Sequence, residues 1–176
     1  YLEMLAPSHH SVPAPRDGLT ILHAQSPTVP YYRSLYDAVG KDYNWVSRRR
    51  MSDEALAAII GDPRDELHVL HVDGTPAGLA ELDRRQPHEV ELVQFGLTHD
   101  FIGQGLGKWF LQWAIDKAWS CQVSQSVAFL GRLCGRWIPK SAMFQRRPHR
   151  TLPAPIQFSG DTSRSLSAAS KWSAAA

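Results

Sequence analysis

The segment that decides the fold is "THDFIGQGLGKWFLQW", residues Thr98–Trp113. Its glycines stand at alternate positions, Gly103, Gly105 and Gly107, and bulky aromatic and aliphatic residues follow at helical spacing. This pattern predicts a glycine-rich turn that opens into a helix over residues 106–119. Backbone N–H groups at such a turn lack partners in the first helical turn, and the helix dipole adds positive potential. The segment is therefore suited to phosphate, although a turn that only lets the helix pack closely on a strand stays open as the alternative.

The residues around these glycines argue against two common nucleotide-binding loops. A Walker loop that ended on Gly107 and Lys108 would need Ser or Thr next, where the chain has Trp109. Its first glycine would fall at Phe101 or Ile102. A dinucleotide fingerprint would need a further glycine at Lys108 or Trp109, and it would belong to a βαβ unit. Both interpretations are weak.

Upstream of the loop, the pattern predicts a strand, two short helices and a three-stranded antiparallel meander. Asp73-Gly74 is a strong hairpin signal because both residues tolerate positive φ, and Gln86-Pro87-His88 marks the second reversal. Ser52 is placed to cap the second helix. The predicted elements cover residues 19–24, 31–39, 52–60, 66–72, 76–83 and 89–97. Farther on, a fifth strand is predicted within 122–131 and a helical turn within 140–147.

Length and composition fit one domain with loose ends. The chain has 176 residues, 43% hydrophobic residues and a formal charge of +2, which is too mild to argue for nucleic acid. We interpret Arg48-Arg49-Arg50 as a solvated run rather than a phosphate contact. Cys121 and Cys134 are too far apart for a metal clip, so no metal is expected. Without a signal-like N-terminus or a long apolar run, we expect a cytoplasmic protein with no membrane contact.

The stretch Glu91–Gly107 resembles the acetyl-CoA-binding core of the GNAT superfamily of acyl-CoA-dependent N-acyltransferases. The pattern of that family is Gln or Arg, two variable residues, Gly, one variable residue, then Gly or Ala. Gly105 and Gly107 fill the two small positions, and Ile102 stands where Gln or Arg is usual. The order of predicted elements over Leu19–Trp119 also follows the family, most closely uncharacterised bacterial members.

The resemblance implies an α/β (α+β) fold with a mixed, mostly antiparallel central sheet, helices on both faces and an irregular C-terminal part. We expect a flexible arm over residues 1–17, the GNAT-like domain over 18–150 and a disordered tail over 151–176. The implied function is transfer of an acetyl group from acetyl-CoA to an amine of a small molecule or protein, by direct attack in a ternary complex. The alternative is a catalytically impaired acyl-CoA-binding or sensor protein, and a homodimer is left open.

The resemblance also assigns roles to individual residues. Glu91 stands where several GNAT enzymes carry a catalytic glutamate, and strand alternation places it on one face with Val93, Phe95 and Leu97; a solvent-facing edge glutamate is the alternative. Proton relay by Glu81, Asp83 or His99 ranks lower, and Tyr43 and Trp45 are expected either to line the acceptor site or to pack in the core. The residues expected to bind acetyl-CoA are Phe95, Gly96, Leu97, Ile102, Gly103, Gln104, Gly105, Leu106, Gly107 and Lys108.

The C-terminal part departs from the family where a tyrosine usually protonates the leaving thiolate. All five tyrosines lie in the first 43 residues, and Phe144 occupies the best-matching position. Water or a thiol then supplies the proton, or the enzyme is impaired. Residues 120–176 are accordingly either a native ending or a frame-shifted one.

Overall fold

A computed structural model of the chain describes residues 2–7, 11–120, 126–129 and 144–146. These residues form a seven-stranded sheet in the order β2-β3-β4-β5-β6-β1-β7, with three α-helices. The elements in chain order are β1 (Leu2–Met4), β2 (Leu19–His23), α1 (Val29–Gly40), α2 (Asp53–Ile60), β3 (Asp65–Val72), β4 (Thr75–Asp83), β5 (Glu89–Leu97), α3 (Leu106–Ser120), β6 (Ser126–Phe129) and β7 (Phe144–Arg146). Strands β2 to β5 are antiparallel, whereas β6 runs parallel to β5. The mixed, mostly antiparallel sheet confirms the expected fold class.

Local sequence signals account for the central elements. Asp73 and Gly74 both have positive φ, 49° and 82°, and they turn β3 into β4 as predicted. The Ser52 hydroxyl accepts a hydrogen bond from the Ala55 N–H at 3.2 Å, which caps α2. The predicted meander and the helix after the glycine loop are confirmed.

Helices cover both faces of the sheet and bury two apolar clusters. On one face α1 and α2 place Tyr32, Leu35 and Leu56 against β3 and β4. On the other face α3 buries Phe110 and Ala114 together with the opposite side chains of β3, β4 and β5. Full burial of a side chain as large as Leu or Phe stabilises the folded protein by roughly 1.5–3 kcal/mol. Across the described residues, none of the helices combines the length and apolar composition that a membrane span requires.

The pairing of β5 changes along its length, and this positions the site. Its pairing with β4 shifts register between Glu81 and Leu82, which leaves Val93 as an extra residue on β5. Its pairing with β6 runs only over Glu89–Leu92. Beyond Leu92, β5 has no strand partner on that side among the described residues.

The structure corrects two expectations near the chain ends. Residues Leu2–Met4 belong to the predicted loose arm, yet they form β1 between β6 and β7. Met4 is buried in the core, and the Trp119 indole N–H donates to its sulfur at 3.4 Å, which explains the attachment. The predicted helical turn over 140–147 is wrong where residues are described, because Phe144–Arg146 pairs with β1 as a strand.

Strand β6 lies within the segment in which a fifth strand is predicted. The tail 151–176, both cysteines and the remaining residues of 121–150 lie outside the described residues. The domain boundaries and the question of a frame-shifted ending therefore stay predictions.

Candidate active site

The glycine loop has the backbone geometry that its sequence predicts. Gly103 and Gly105 adopt φ values of +86° and +79°, which strain any residue with a Cβ. A Cβ at Gly103 would meet nothing within 4 Å, so the loop is open on that side. Gly107 differs, because its φ is not in this region and a Cβ there would make an ordinary contact with Leu97 at 3.7 Å. The two positive-φ glycines shape the loop, and Gly107 keeps the first turn of α3 free of bulk.

The remaining loop residues offer main chain more than side chain. Leu106, the first residue of α3, has its side chain fully buried in the core, so only its backbone is available to a ligand. The Gln104 amide donates to the Asp100 carbonyl at 2.9 Å, and Ile102 is exposed. Lys108 is exposed on the first turn of α3, and that turn carries no acidic residue. A helix N-terminus of this composition favours an anion.

Strand β5 ends just before this loop, and the last part of the strand has one free backbone edge, without a described strand partner. The stretch from Gln94 to Leu97 pairs with β4 on one side and lacks a described strand partner on the other. An extended molecule with amide groups can pair with such an edge as an added strand. Gly96 lies against α1, since a Cβ there would come within 2.5 Å of Val39. A close approach of α1 therefore requires glycine at this point of the free edge.

The N-terminal segment also reaches the loop, which the sequence does not predict. A Cβ at Gly105 would lie 3.6 Å from the Pro15 side chain. Arg16 forms an ion pair with Asp73, and the Asp73 N–H donates to the Gly18 carbonyl at 2.9 Å. Residues next to Pro15 are thus anchored to the β3–β4 turn, and they bound one side of the glycine loop.

Glu91 lies on the opposite face of β5 from Phe95, whereas simple alternation predicts that the two share a face. The extra residue Val93 reverses the alternation, so Phe95 packs on Phe110 of α3 at a ring distance of 5.2 Å. Glu91 is directly opposite Asp83 on β4 and faces the α1 and α2 side, together with Glu81. The expectation that Glu91 shares a face with Phe95 and Leu97 is wrong for this reason.

The environment of Glu91 suits a base at neutral pH. Burial, followed by repulsion from the carboxylates of Asp83 and Glu89, raises the pKa of Glu91 to about 7. Its side chain is half-buried rather than fully exposed, which disfavours the solvent-facing alternative. A group with a pKa near the working pH is well matched to general base catalysis.

Of the other candidates for proton relay, Glu81 and Asp83 form ion pairs with arginines, and His99 lies outside β5. Glu81 is fully buried, and its two oxygens are bound by the guanidinium of Arg48 and the hydroxyl of Tyr32. The Asp83 carboxylate accepts three hydrogen bonds from the Arg85 guanidinium, two from Nε and one from Nη2. His99 lies in the short 3-10 helix that precedes the loop. None of these groups lies at the position of Glu91 on β5, ahead of the free backbone edge.

Trp45 is part of the core, and Tyr43 packs against it. Trp45 is buried, and its ring lies 5.2 Å from that of Tyr36 and close to the Cα side of Gly96. Tyr43 is half-buried against the same cluster. This burial favours core packing for Trp45, whose ring packs against β5 at Gly96, on the face that α1 covers.

Asp65 carries a second perturbed carboxyl group beside this site. It is buried, neither of its oxygens has a hydrogen-bond partner among the described residues, and burial followed by the Glu81 charge raises its pKa to about 8. Because the unfolded chain ionises this group near pH 4, the folded state loses stability as the pH rises from about 4 to about 8.

Replacement of Asp65 by Asn is therefore expected to stabilise the protein more at pH 8 than at pH 5. The control is Asp62→Asn, because hydrogen bonds from Arg64 lower the pKa of Asp62 to about 2. Asp62 is ionised throughout this range, so its replacement should have the same effect at both pH values. Urea unfolding at the two pH values measures the difference, and an Asp65→Asn effect that does not depend on pH would contradict the assignment.

The fold and this site together define a mixed-sheet protein with a phosphate-suited loop at the end of a half-free strand. The chain belongs to the acetyltransferase (GNAT) family, whose model matches residues 32–133, more than half of the chain. No curated protein sequence matches the chain.

Two solved acetyltransferase structures share this fold at low sequence identity. A GCN5-related N-acetyltransferase from Kribbella flavida matches with a TM-score of 0.51 and 17% identity, over 73% of this chain and 46% of that one. An aminoglycoside acetyltransferase from an uncultured soil metagenomic sample matches with a TM-score of 0.52 and 12% identity, over 65% and 78%. An acetyltransferase from Elizabethkingia anophelis with acetyl-CoA bound matches with a TM-score of 0.44 and 20% identity, over 60% of each chain. The chain spans about half to three fifths of the length of the first solved structures that it matches.

Proposed function

We propose that the protein is an N-acetyltransferase that moves an acetyl group from acetyl-CoA to an amine of a small molecule or protein by direct attack in a ternary complex. One observation carries the proposal: β5 bears a glutamate with a pKa near 7, then a free backbone edge, then a glycine loop at a helix N-terminus. The base, the thioester position and the phosphate position thus follow one another along β5 and the loop after it. Membership of the acetyltransferase family supports this order of roles.

The residues of the loop and strand fit acetyl-CoA. The main-chain N–H groups of residues 103–108 would hold the pyrophosphate, and Lys108 adds positive charge nearby. The free edge at Phe95, Gly96 and Leu97 would pair with the pantetheine arm. A backbone N–H of this edge would polarise the thioester carbonyl, and a donor so placed typically lowers the barrier by about 3 kcal/mol.

Glu91 would prepare the attacking amine. An alkylamine with a pKa of about 10.4 is almost entirely protonated at neutral pH, so a proton must leave before the nitrogen can attack. Glu91 would accept that proton, directly or through one water molecule. The new C–N bond forms at the acetyl carbonyl as the C–S bond breaks. The second proton that the nitrogen loses passes through water to the departing thiolate, which leaves as the CoA thiol.

The pH dependence of kcat/KM is expected to report Glu91. Because its pKa is raised to about 7, the carboxylate base is lost as the pH falls below 7. The rate constant kcat/KM should then fall about tenfold for each pH unit below that point. Initial rates of CoA thiol release between pH 5 and pH 8 measure this fall in kcat/KM. A kcat/KM that does not change over that range would show that Glu91 is not the base.

A catalytically impaired CoA-binding or sensor protein is the second candidate, and the lack of any tyrosine after Tyr43 favours it. Both candidates bind acetyl-CoA at the loop, and they differ in turnover. Thiol release from acetyl-CoA in the presence of a panel of small amines and amine-bearing peptides supports the enzyme. Tight binding without turnover, unchanged by Glu91→Gln, supports the sensor.

A further inference from the structure

The loop between α1 and α2 places a cation inside the protein. Arg48 belongs to the basic run interpreted from the sequence as solvated, and for this residue that interpretation is wrong. Its side chain is only 9% exposed, whereas Arg49 and Arg50 are exposed. The guanidinium of Arg48 forms an ion pair with one carboxylate oxygen of Glu81, and the Tyr32 hydroxyl donates to the other oxygen. A buried charge of this kind is costly unless it is paired.

This ion pair lies beside Glu91. Glu81 precedes Asp83 by two residues on β4, so both face the α1 and α2 side, and Asp83 is directly opposite Glu91 on β5. The charged groups that act on Glu91 are Asp83 and Glu81 from β4, Glu89 from its own strand and Arg48 from the loop. Three of these groups are acids, and Arg48 is the cation among them; Asp83 is in addition ion-paired with Arg85, whose side chain is about one third exposed.

The backbone around Arg48 is fixed independently of its ion pair. The Arg33 guanidinium donates to the carbonyls of Arg48 at 3.2 Å and Met51 at 2.9 Å, and to the Asp53 carboxylate at 2.7 Å. The Tyr36 hydroxyl also lies 3.1 Å from the Ser47 hydroxyl. These contacts hold the loop in place without the Arg48 side chain. The charge of Arg48 can therefore be removed while the loop keeps its anchors.

We propose that Arg48 is a positioning residue for acetyl transfer, whose buried cation offsets the acids around Glu91 and keeps that carboxyl group available as a base. The role of Arg48 in acetyl transfer rests on the proposed function. The effect of Arg48 on the pKa of Glu91 does not, because it involves only residues of this chain.

Two variants of the same ion pair separate this role from a structural one. Arg48→Met removes the cation and leaves an acidic surrounding, so the pKa of Glu91 should rise by about half a unit to one unit. Glu81→Gln removes an acid and leaves the cation, so the pKa should fall by a similar amount, about half a unit. A role in packing alone predicts no shift, or shifts in the same direction. Tyr32→Phe removes a hydrogen bond to Glu81 without a change of formal charge and serves as the matched control, with a pKa shift within about 0.2 unit.

The experiment is a carboxyl carbon-13 NMR titration of glutamate-labelled protein, with Glu91→Gln used to assign the resonance. Opposite shifts in Arg48→Met and Glu81→Gln, with an intermediate pKa in the double variant, support the proposal. The double variant removes both charges, which protects against failure to fold in either single variant. Shifts of the same sign, or pKa values equal to that of the wild type, overturn it.

A second measurement separates this inference from the proposed function. The acid limb of kcat/KM should move with the titration, and Arg48→Lys should restore it. Absence of acetyl transfer in the wild-type protein overturns the proposed function and leaves the titration readable. Equal titration curves overturn the role of Arg48 even when acetyl transfer is present.

Discussion

Glu91→Gln is expected to lower kcat/KM for acetyl transfer by about 10²- to 10⁴-fold, the range that a positioned general base contributes. The amide has nearly the same shape as the carboxyl group but cannot accept the proton of the amine. The affinity for acetyl-CoA should be unchanged, because the loop and the free edge of β5 lie farther along the strand. Steady-state kinetics and calorimetric titration with acetyl-CoA measure the two quantities.

Glu89→Gln is the matched control for this variant. Glu89 is a half-buried acid on the same strand, two residues from Glu91. Its loss removes a nearby charge but not the base, so kcat/KM should change by less than about threefold at pH 8, where Glu91 is ionised in both proteins. Retention of more than a third of the wild-type kcat/KM in Glu91→Gln, or an equal loss in the two variants, would show that Glu91 is not the base.

Gly103→Glu is expected to abolish stabilisation of the protein by acetyl-CoA. A side chain at Gly103 enters open space, and its carboxylate would repel a pyrophosphate at the loop. Wild-type protein should gain about 2.7 kcal/mol of stability at a ligand concentration 100 times the dissociation constant. Thermal unfolding with and without saturating acetyl-CoA measures the gain.

Gly74→Glu controls for the backbone strain and the added charge. Gly74 has a φ of +82°, close to the +86° of Gly103, and a Cβ there also meets nothing within 4 Å. Both variants should lose about 1–2 kcal/mol of stability from the left-handed backbone. Only Gly103→Glu should lose the effect of acetyl-CoA. An undiminished stabilisation of Gly103→Glu, or an equal loss in Gly74→Glu, would contradict a phosphate site at the loop.

The parts of the fold that could be predicted from the sequence depend on residues that are close together in the chain. Asp73-Gly74 specifies its turn because two adjacent residues accept positive φ, and Ser52 caps α2 with its own hydroxyl. The glycine loop is equally local, since positive φ at Gly103 and Gly105 follows from the absence of a Cβ. Helix α3 follows from periodicity in its own segment.

The features that the sequence could not predict depend on partners far along the chain. The extra residue at Val93 changes the face of Glu91, and Val93 itself is an ordinary strand residue with no signal of a bulge. Strand β1 is too short to show alternation, and its partners are more than 100 residues away. The run of three arginines gives no sign that Arg48 turns inward to meet Glu81 on β4.

The central claim is that acetyl-CoA lies along the free edge of β5 with its pyrophosphate at the glycine loop. Backbone amide NMR of nitrogen-15-labelled protein titrated with CoA tests this most directly, because it reports each N–H separately. The predicted result is that the amides of residues 95–97 and 103–108 shift together and saturably, while those of the β3–β4 turn at Asp73 and Gly74 shift little. Saturable shifts confined to other parts of the chain, or no shifts at millimolar CoA, would contradict the claim.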